Sequence, residues 1–414
     1  MMYTKLQFFL LLLLSARKSA LVDAVPLNEI ERTAVTTAVL EDIKTKISEW
    51  GESLPSDGQK SDFYGGILRL AIRDFMDYDN SDSDNPGGSD GCLDIGDATN
   101  AHLLDNNWCD ACKFRDMYTM YFSKIGVADF WVASASKVVE LLSPGLNQCE
   151  PTIKWNRPDT SSATCSANYQ NLNRMTDASG CTELENKQVN RMGLTWTDVV
   201  ALMGHHTIGR NINSDTWCND VAESLQFDKR YYEDIKDRGW TMKTINDNTW
   251  SRGAATHKRV MYNEDLCLYY DFTNTNADCC TNTFNQCIPS ATTWTECSKV
   301  AVGNERRDAI DLFIAGTQED HAEFHDAFAS AFEIGTNLGH TDLYSVFDDN
   351  EAANCADKTS SFTWHGASRT CAYLREEDFT ERCTRKRGRC PVTCAENDAS
   401  KWPEKCSFEG IEPP

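Results

Sequence analysis

One histidine, His206, lies where it could do chemistry. It belongs to the segment ALMGHHTIGR at residues 201–210. The apolar residues before it recur at the i, i+3, i+4 and i+7 spacing of one helix face: Val199, Leu202 and Met203. An imidazole at the end of such a face can ligate a metal. For a lone histidine the alternative is a core residue without a ligand, so the rest of the sequence matters.

The residues that follow His206 resemble those of a known family. A histidine that ends an apolar face and precedes Thr-Ile-Gly is similar to the proximal haem-ligand motif of the plant, fungal and bacterial haem peroxidases. In that family a carboxylate pairs with the histidine and gives the imidazole anionic character. The carboxylate begins a pattern Asp-x-x-Leu-x-x-Asp, and Asp265–Asp271 fits it 59 residues after His206. An ordinary acidic helix start is the alternative for this segment.

Other segments extend the resemblance over about residues 60 to 340. Phe227–Tyr232 resembles the family's Phe-Asp-Asn-x-Tyr-Tyr segment, residues 126–133 its Ser/Gly-x-Ala-Asp helix, and residues 155–159 its Gly-Arg-x-Asp turn. The pattern is most similar to the ascorbate and cytochrome c peroxidase branch. The resemblance implies an all-α, two-lobed fold with haem b between distal and proximal helices. The family's buried structural ion pair would be formed by Asp129 and Arg157.

The resemblance also assigns proximal residues. His206 would be the axial ligand of the haem iron, and Asp265 would orient and charge it. Trp217 is the candidate for the redox-active tryptophan beneath the haem, with a core tryptophan as the alternative. The residues that would hold a proximal cation are Thr207, Asp220 and Asp228. Oxygen ligands from a loop suit calcium, and a solvated acidic loop is the alternative.

The distal helix departs from the family pattern Arg-Leu-x-Phe-His-Asp. Here the segment reads Arg69-Leu-Ala-Ile-Arg-Asp, so Arg73 stands in place of the distal histidine. Arg69 matches the arginine that stabilises charge on the departing peroxide oxygen, and Asn100 matches the distal-side asparagine. The matches to the distal calcium ligands are Asp74, Gly88 and Asp90. Arg73, with a pKa above about 12, cannot serve as the base that moves a proton between the peroxide oxygens.

Three replacements for that base remain open. An acidic residue of the following loop, Asp77 or Asp79, could take the proton. His102 is a second candidate, with a solvated histidine as the alternative. Deprotonation by solvent would leave a slow enzyme. The two guanidiniums at positions 69 and 73 share a helix face and would attract anions such as hydroperoxide or a haem propionate.

Composition limits the partners. The chain has 414 residues, a net charge of −23 and a sequence pI of about 4.7. Such an acidic surface argues against nucleic acid as a partner. It suits solubility outside the cell and favours neutral or cationic small substrates.

The N-terminus predicts export. Lys5, the apolar run Leu6–Leu14 and the small residues after it are typical of a secretory signal, which we assign to residues 1–24. The run is too short to span a bilayer comfortably, and no later apolar run reaches eighteen residues. We therefore expect a secreted, extracellular protein without a membrane span.

The 18 cysteines agree with export, since cysteine-rich chains of this kind form disulfides outside the cytosol. Twelve lie between Cys92 and Cys297 and six between Cys355 and Cys406, and no pair of Cys-x-x-Cys motifs suggests a zinc site. Their pairing cannot be read from the sequence. We expect a haem peroxidase domain at residues 25–345 and a Cys-rich disulfide module at residues 352–410, which could bind an extracellular partner.

Helices must position these residues. Hydrophobic periodicity predicts helices near residues 28–50, 63–77, 96–106, 112–121, 128–142, 185–193, 196–206, 228–236, 305–315 and 320–336. Thr195 and Asp198 form a capping box that would start the helix leading to His206. Alternating strands are scarce, so the chain is predicted to be mainly α.

These observations predict a secreted haem peroxidase that uses hydrogen peroxide to oxidise a small electron donor. Its cycle is expected to be atypical or slow because Arg73 replaces the distal histidine. The alternative is a catalytically inactive pseudoperoxidase that binds haem or another ligand, or acts as a cell-surface interaction protein. A disulfide-rich structural protein without haem conflicts with the paired motifs at His206 and Asp265.

Overall fold

The computed structural model describes residues 29–84, 86–93, 103, 114–121, 124–144, 148–160, 165, 180–210, 221–242, 249–252, 259–272, 279–281, 295–317, 319–341, 343–345, 362–364 and 367–369. Within these ranges the chain is mainly helical. The α-helices are α1 (Glu29–Ser53), α2 (Asp57–Phe75), α3 (Phe114–Tyr118), α4 (Val127–Leu142), α5 (Cys181–Leu184), α6 (Trp196–Met203), α7 (Arg230–Asp237), α8 (Asn263–Leu266), α9 (Glu305–Phe313) and α10 (Ala322–Asn337). The predicted all-α class is confirmed. The helix predicted near 96–106 lies almost entirely outside the described residues.

Helix α2 carries the distal segment and starts earlier than its periodicity predicts. Ser56 caps it, because its side chain accepts a hydrogen bond from the backbone N of Gln59 at 3.4 Å. From Ser61 to Phe75 nearly every side chain is buried, which makes α2 a central helix packed against α4. Arg73 is the partly exposed member of its last turn.

Helix α6 leads to His206 and begins at the predicted capping box. The Oγ1 of Thr195 accepts from the backbone N of Asp198 at 3.2 Å, and the Asp198 carboxylate accepts from the backbone N of Thr195 at 2.9 Å. The α-helix ends at Met203, and a single 3-10 turn, Gly204–Thr207, follows it. The sequence predicted an α-helix through residue 206. The correction is that His206 lies in the tighter turn.

Aromatic packing fixes the segment that follows. The ring of Phe227 lies 5.0 Å from that of Phe324 and 4.7 Å from that of Phe328, both on α10. The backbone carbonyl of Phe227 also accepts a hydrogen bond from Nε2 of His325 at 2.8 Å. The contact with Phe328 is edge to face, an arrangement that stabilises the rings beyond their burial. Phe227 thus anchors the chain three residues before α7 begins at Arg230, and the position of the tyrosines on α7 follows from it.

The strands are β1 (Lys154–Trp155), β2 (Thr241–Met242), β3 (Thr249–Arg252), β4 (Arg259–Tyr262), β5 (Cys279–Cys280), β6 (Thr295–Glu296), β7 (Tyr344–Ser345), β8 (Phe362–Trp364) and β9 (Ala367–Arg369). Five of them form one small sheet in the order β4-β3-β2-β5-β6. β3 and β4 pair antiparallel, with Trp250 opposite Met261. β4 runs directly into α8, so the edge of this sheet positions Asp265.

Three disulfides lie among the described residues, which confirms that cysteines here form disulfides. They join Cys92 to Cys165, Cys181 to Cys267, and Cys279 to Cys297. The Cys181–Cys267 bond ties α5 to the chain immediately after α8. It therefore fixes the segment that carries Asp265.

The contacts divide the chain into two compact units. The larger contains the described residues of Asp42–Leu343. The smaller contains those of Ala24–Glu41 and Tyr344–Pro414, including the antiparallel pair β8 and β9. Most of the predicted Cys-rich module lies outside the described residues. Among the residues that are described, no helix has the length and apolar content needed to cross a membrane.

Candidate active site

His206 and Asp265 lie in contact. Nδ1 of His206 donates a hydrogen bond to Oδ1 of Asp265 at 2.8 Å. The His206 side chain is 12% exposed, whereas that of Asp265 is completely buried. A buried carboxylate needs hydrogen-bond donors, and His206 supplies one of them. The pair that the resemblance implied is therefore formed, across the 59 residues that separate its members.

Asp265 has two further donors, which hold it in place. Its Oδ1 also accepts from the hydroxyl of Tyr231 at 2.6 Å, and its Oδ2 accepts from the backbone N of Tyr262 at 2.7 Å. Burial, followed by the charge of Asp265, raises the pKa of Tyr231 well above its usual value. The Tyr231 hydroxyl is therefore protonated and acts as a donor.

Tyr231 is a site residue that sequence reasoning missed. It lies in the quoted Phe227–Tyr232 segment, but that match identified an anchoring motif and a cation ligand. The ring of Tyr231 meets that of His206 edge to face, with 5.9 Å between the ring centroids. The match of the Phe227–Tyr232 segment to the family was the signal in the sequence that could have pointed to Tyr231.

The chemistry of this donor set fits a haem iron. Because Nδ1 of His206 keeps its proton and donates it in a hydrogen bond to a carboxylate, the lone pair of the neutral ring lies on Nε2, the atom that ligates a metal. The buried, negatively charged partner strengthens that lone pair. His206 would hold the iron of a haem through this atom.

His205, next to the candidate ligand, has a structural role. Its Nδ1 donates to the backbone carbonyl of Leu202 at 2.8 Å, and its ring centroid lies 4.2 Å from that of His206. Burial lowers the pKa of His205 well below its usual value, and the neighbouring His206 and the charges of Arg69 and Arg73 act in the same direction. His205 is therefore neutral, and the two distal arginines lie close enough to influence it.

The two distal arginines, Arg69 and Arg73, lie one turn apart on α2, and their charges repel. Burial, with a smaller contribution from the charge of Arg73, lowers the pKa of Arg69 to about 10. Arg69 still carries a positive charge at neutral pH, and its Nη1 donates to the backbone carbonyl of Ile208 at 3.5 Å. The α2 helix thus places Arg69 against the segment that carries His206, with the charge of Arg73 close enough to lower the pKa of His205.

A contact between two glycines brings α2 close to the His206 turn. A Cβ on Gly65 would lie 2.6 Å from Cα of Gly209, and a Cβ on Gly209 would lie 2.8 Å from Cα of Gly65. Gly209 also has φ +90°, which a residue with a side chain rarely adopts. Gly65 must be glycine because the two backbones approach closely. Gly209 must be glycine for the same reason and because of its positive φ.

The predicted buried pair is formed. Nη1 of Arg157 donates to Oδ1 of Asp129 at 2.9 Å, and Oδ2 of Asp129 accepts from the backbone N of Asn156 at 2.9 Å. Nearby, Asp159 accepts from the backbone N of Val127 at 2.9 Å and caps the start of α4. These bonds fix the helix that packs against α2.

The structure describes two of the three residues predicted to hold a proximal cation, Thr207 and Asp228. Oγ1 of Thr207 donates to Oδ1 of Asp228 at 3.4 Å, a long hydrogen bond. Burial raises the pKa of Asp228 to about 6, although Arg230 opposes that shift. Asp220 lies outside the described residues, as do the predicted Trp217, Asn100 and His102.

The distal acidic residues lie together near the end of α2. Oδ1 of Asp74 is buried with no hydrogen-bond partner, whereas its Oδ2 accepts from the backbone N of Gly91 at 3.0 Å. Burial and the charges of Asp90 and Asp77 raise the pKa of Asp74 well above its usual value. Gly88 adopts φ +104° in the same loop. In the described part of the chain, no three histidine, cysteine or acidic side chains are arranged as a metal cluster.

The two loop carboxylates proposed as replacement bases differ. Asp77 accepts from the backbone N of Gly88 at 2.8 Å, and burial raises its pKa to about 8. Asp79 is exposed and accepts from the hydroxyl of Ser81 at 2.6 Å, a bond that lowers its pKa. Asp77 therefore holds a proton more tightly than Asp79 does.

Comparison with known proteins identifies the family. The sequence model of the peroxidase family matches residues 39–282, more than half of the chain, and the chain belongs to that family. A curated relative is the mitochondrial cytochrome c peroxidase of Candida albicans, 30% identical over 177 residues. That match covers 42% of this chain and 43% of the relative. Membership of the family implies a haem cofactor.

Proposed function

We propose that this protein is a haem peroxidase that uses hydrogen peroxide to oxidise small reducing substrates. The observation that carries the proposal is the 2.8 Å hydrogen bond from His206 Nδ1 to buried Asp265 within a chain of this family. The bond gives His206 the tautomer and the basicity that an axial ligand needs.

The proximal residues would act through His206. A bound haem b would supply the iron that takes up peroxide and accepts its oxidising equivalents. His206 would hold that iron through Nε2, and Asp265 would keep the ring in one orientation. Trp217 remains our candidate for a redox-active ring on this side.

The distal residues would bind peroxide but move its proton poorly. Arg69 is buried and positively charged, so it would stabilise negative charge on the departing oxygen. Asn100 would assist from the distal side. Arg73 cannot accept a proton at neutral pH, so the cycle is expected to be slow or to use another base such as Asp77.

Calcium would stabilise both sides of the haem. We propose a distal ion at Asp74, Gly88 and Asp90, supported by the buried, unpartnered Oδ1 of Asp74. We propose a proximal ion at Thr207, Asp220 and Asp228. A divalent cation would offset the repulsion among the distal carboxylates, and oxygen ligands suit calcium.

A pseudoperoxidase is the second candidate, favoured by one observation. Arg73 occupies the place of the distal histidine and lies beside Arg69, so neither side chain there can serve as a base. Such a protein would bind haem or another ligand without turnover, and it could display the Cys-rich region at residues 352–410 to an extracellular partner.

We propose that the protein is secreted after removal of residues 1–24. The three disulfides of the described residues support this, because disulfides persist in oxidising compartments. A haem peroxidase domain at residues 25–345 would then precede the Cys-rich module.

Reconstitution tests the proposal. The chain expressed with haem should show a Soret band of a ferric haem with one histidine ligand, and peroxide with a chromogenic donor should give slow turnover. Absence of a Soret band would contradict both candidates. A normal ferric spectrum that peroxide leaves unchanged would favour the pseudoperoxidase. Arg69→Gln should keep the Soret band and slow the reaction with peroxide further.

A further inference from the structure

Tyr231 and His206 use the same oxygen of Asp265. The phenolic hydroxyl donates to Oδ1 at 2.6 Å, and His206 Nδ1 donates to the same atom at 2.8 Å. Tyr231 is fully buried, so water does not offer its hydroxyl another partner. The two donors are therefore in direct competition for one acceptor.

The carboxylate cannot relieve this competition by turning. Its Oδ2 accepts from the backbone N of Tyr262 at 2.7 Å, at the junction of β4 and α8. Rotation would break that bond within a buried site, where an unsatisfied donor is costly. His206 thus shares Oδ1 with Tyr231 as long as this junction keeps its structure.

Hydrogen bonds to a common acceptor weaken one another, because each withdraws negative charge from it. A carboxylate oxygen that also binds a phenol pulls less strongly on the imidazole proton. The imidazole then carries less anionic character and donates less charge through Nε2. The hydrogen bonding of an axial ligand is one of the means by which a protein sets the properties of a haem.

We propose that Tyr231 is a positioning residue that limits the anionic character of His206 by sharing Oδ1 of Asp265. This inference rests on the proposed function, in which His206 ligates haem iron. Loss of the hydroxyl should strengthen the Asp265–His206 hydrogen bond. It should also strengthen the bond from the histidine to iron and favour the ferric over the ferrous state.

The neighbouring tyrosine provides a matched control. Tyr232 is equally buried and lies 5.1 Å from Tyr231 between ring centroids. Its hydroxyl donates instead to the backbone carbonyls of Val200, at 2.8 Å, and Ala201, at 3.3 Å. Tyr232→Phe therefore removes a buried phenolic hydroxyl on α7 without removing a donor to Asp265.

The experiment compares Tyr231→Phe and Tyr232→Phe with the unsubstituted chain, each loaded with haem. Resonance Raman spectra of the ferrous proteins report the iron–histidine stretching band, and spectroelectrochemistry reports the ferric/ferrous midpoint potential. In Tyr231→Phe we expect the band to move to higher wavenumber and the potential to become more negative. In Tyr232→Phe we expect both to stay near their original values.

Equal shifts in the two variants would attribute the effect to packing and overturn the inference. Unchanged values in Tyr231→Phe would also overturn it, while leaving haem ligation by His206 intact. Failure of the unsubstituted chain to bind haem would instead overturn the proposed function. A measurement on the haem-free chain separates the cases further, because the Nδ1 proton resonance of His206 should move downfield in Tyr231→Phe alone.

Discussion

Replacement of Arg73 by histidine should restore the missing proton transfer. Arg73 follows Arg69 by one helical turn on α2, in the place where the family pattern has its distal histidine. It is half-buried, so an imidazole there would not require a new cavity in the core. The introduced group would titrate near neutral pH, whereas the guanidinium does not.

The expected gain follows from the chemistry of the step. General acid–base catalysis by a positioned side chain contributes roughly 10²–10⁴-fold in rate. We therefore expect Arg73→His to react with peroxide about 10² times faster or more. Arg69 should also hold its proton more tightly, because the charge of Arg73 contributes to the lowering of its pKa. The cation that stabilises the departing oxygen is thus retained.

Stopped-flow absorbance at the Soret band measures this rate in the haem-loaded protein, with peroxide in excess. Arg73→Gln is the control, since it removes the same positive charge without supplying a base. Arg73→His should react with peroxide faster than Arg73→Gln by the whole factor that the imidazole contributes as a base. Equal rates in Arg73→His, Arg73→Gln and the unsubstituted chain would refute our placement of Arg73 on the distal side.

Two predictions concern stability. Asp129→Asn should lower the free energy of unfolding by about 3 to 5 kcal/mol, because it leaves the buried Arg157 charge uncompensated. Glu49→Gln, in an exposed helix pair that water screens, should cost far less. Similar costs in urea unfolding would contradict this. Burial raises the pKa of Asp234 to about 6, although Arg238 opposes it, so the ionised carboxyl destabilises the fold above that pH. This carboxyl should therefore contribute a fall in stability of up to about 3 kcal/mol as pH rises from about 4 to 6, and Asp234→Asn should remove that contribution. Parallel stability curves for the two proteins would contradict this assignment.

The sequence predicted the elements whose signals are local. The capping box at Thr195 and the apolar face before His206 lie within a few residues of each other, and helix α6 forms there. Family motifs added the distant pairs, Asp265 with His206 and Asp129 with Arg157, because each partner belongs to a recognisable segment.

Features that depend on long-range packing could not be predicted in the same way. The strands of the five-stranded sheet have two to four residues, too few for an alternating pattern. The disulfide partners, such as Cys181 and Cys267, depend on which segments the fold brings together. The Tyr231 hydroxyl donates to Asp265, 34 residues away in sequence. The family segment marks Tyr231 itself, but nothing near it in sequence identifies Asp265 as its partner.

Replacement of the proposed iron ligand tests the central claim most directly. In His206→Gly the ring is lost while Asp265 and Tyr231 remain, which leaves space for free imidazole beside the carboxylate. We predict that the variant loses the five-coordinate Soret spectrum and that added imidazole restores it; His205→Gly should keep that spectrum without imidazole. An unchanged Soret spectrum in His206→Gly would contradict the account, because another residue would then be the ligand of the haem iron.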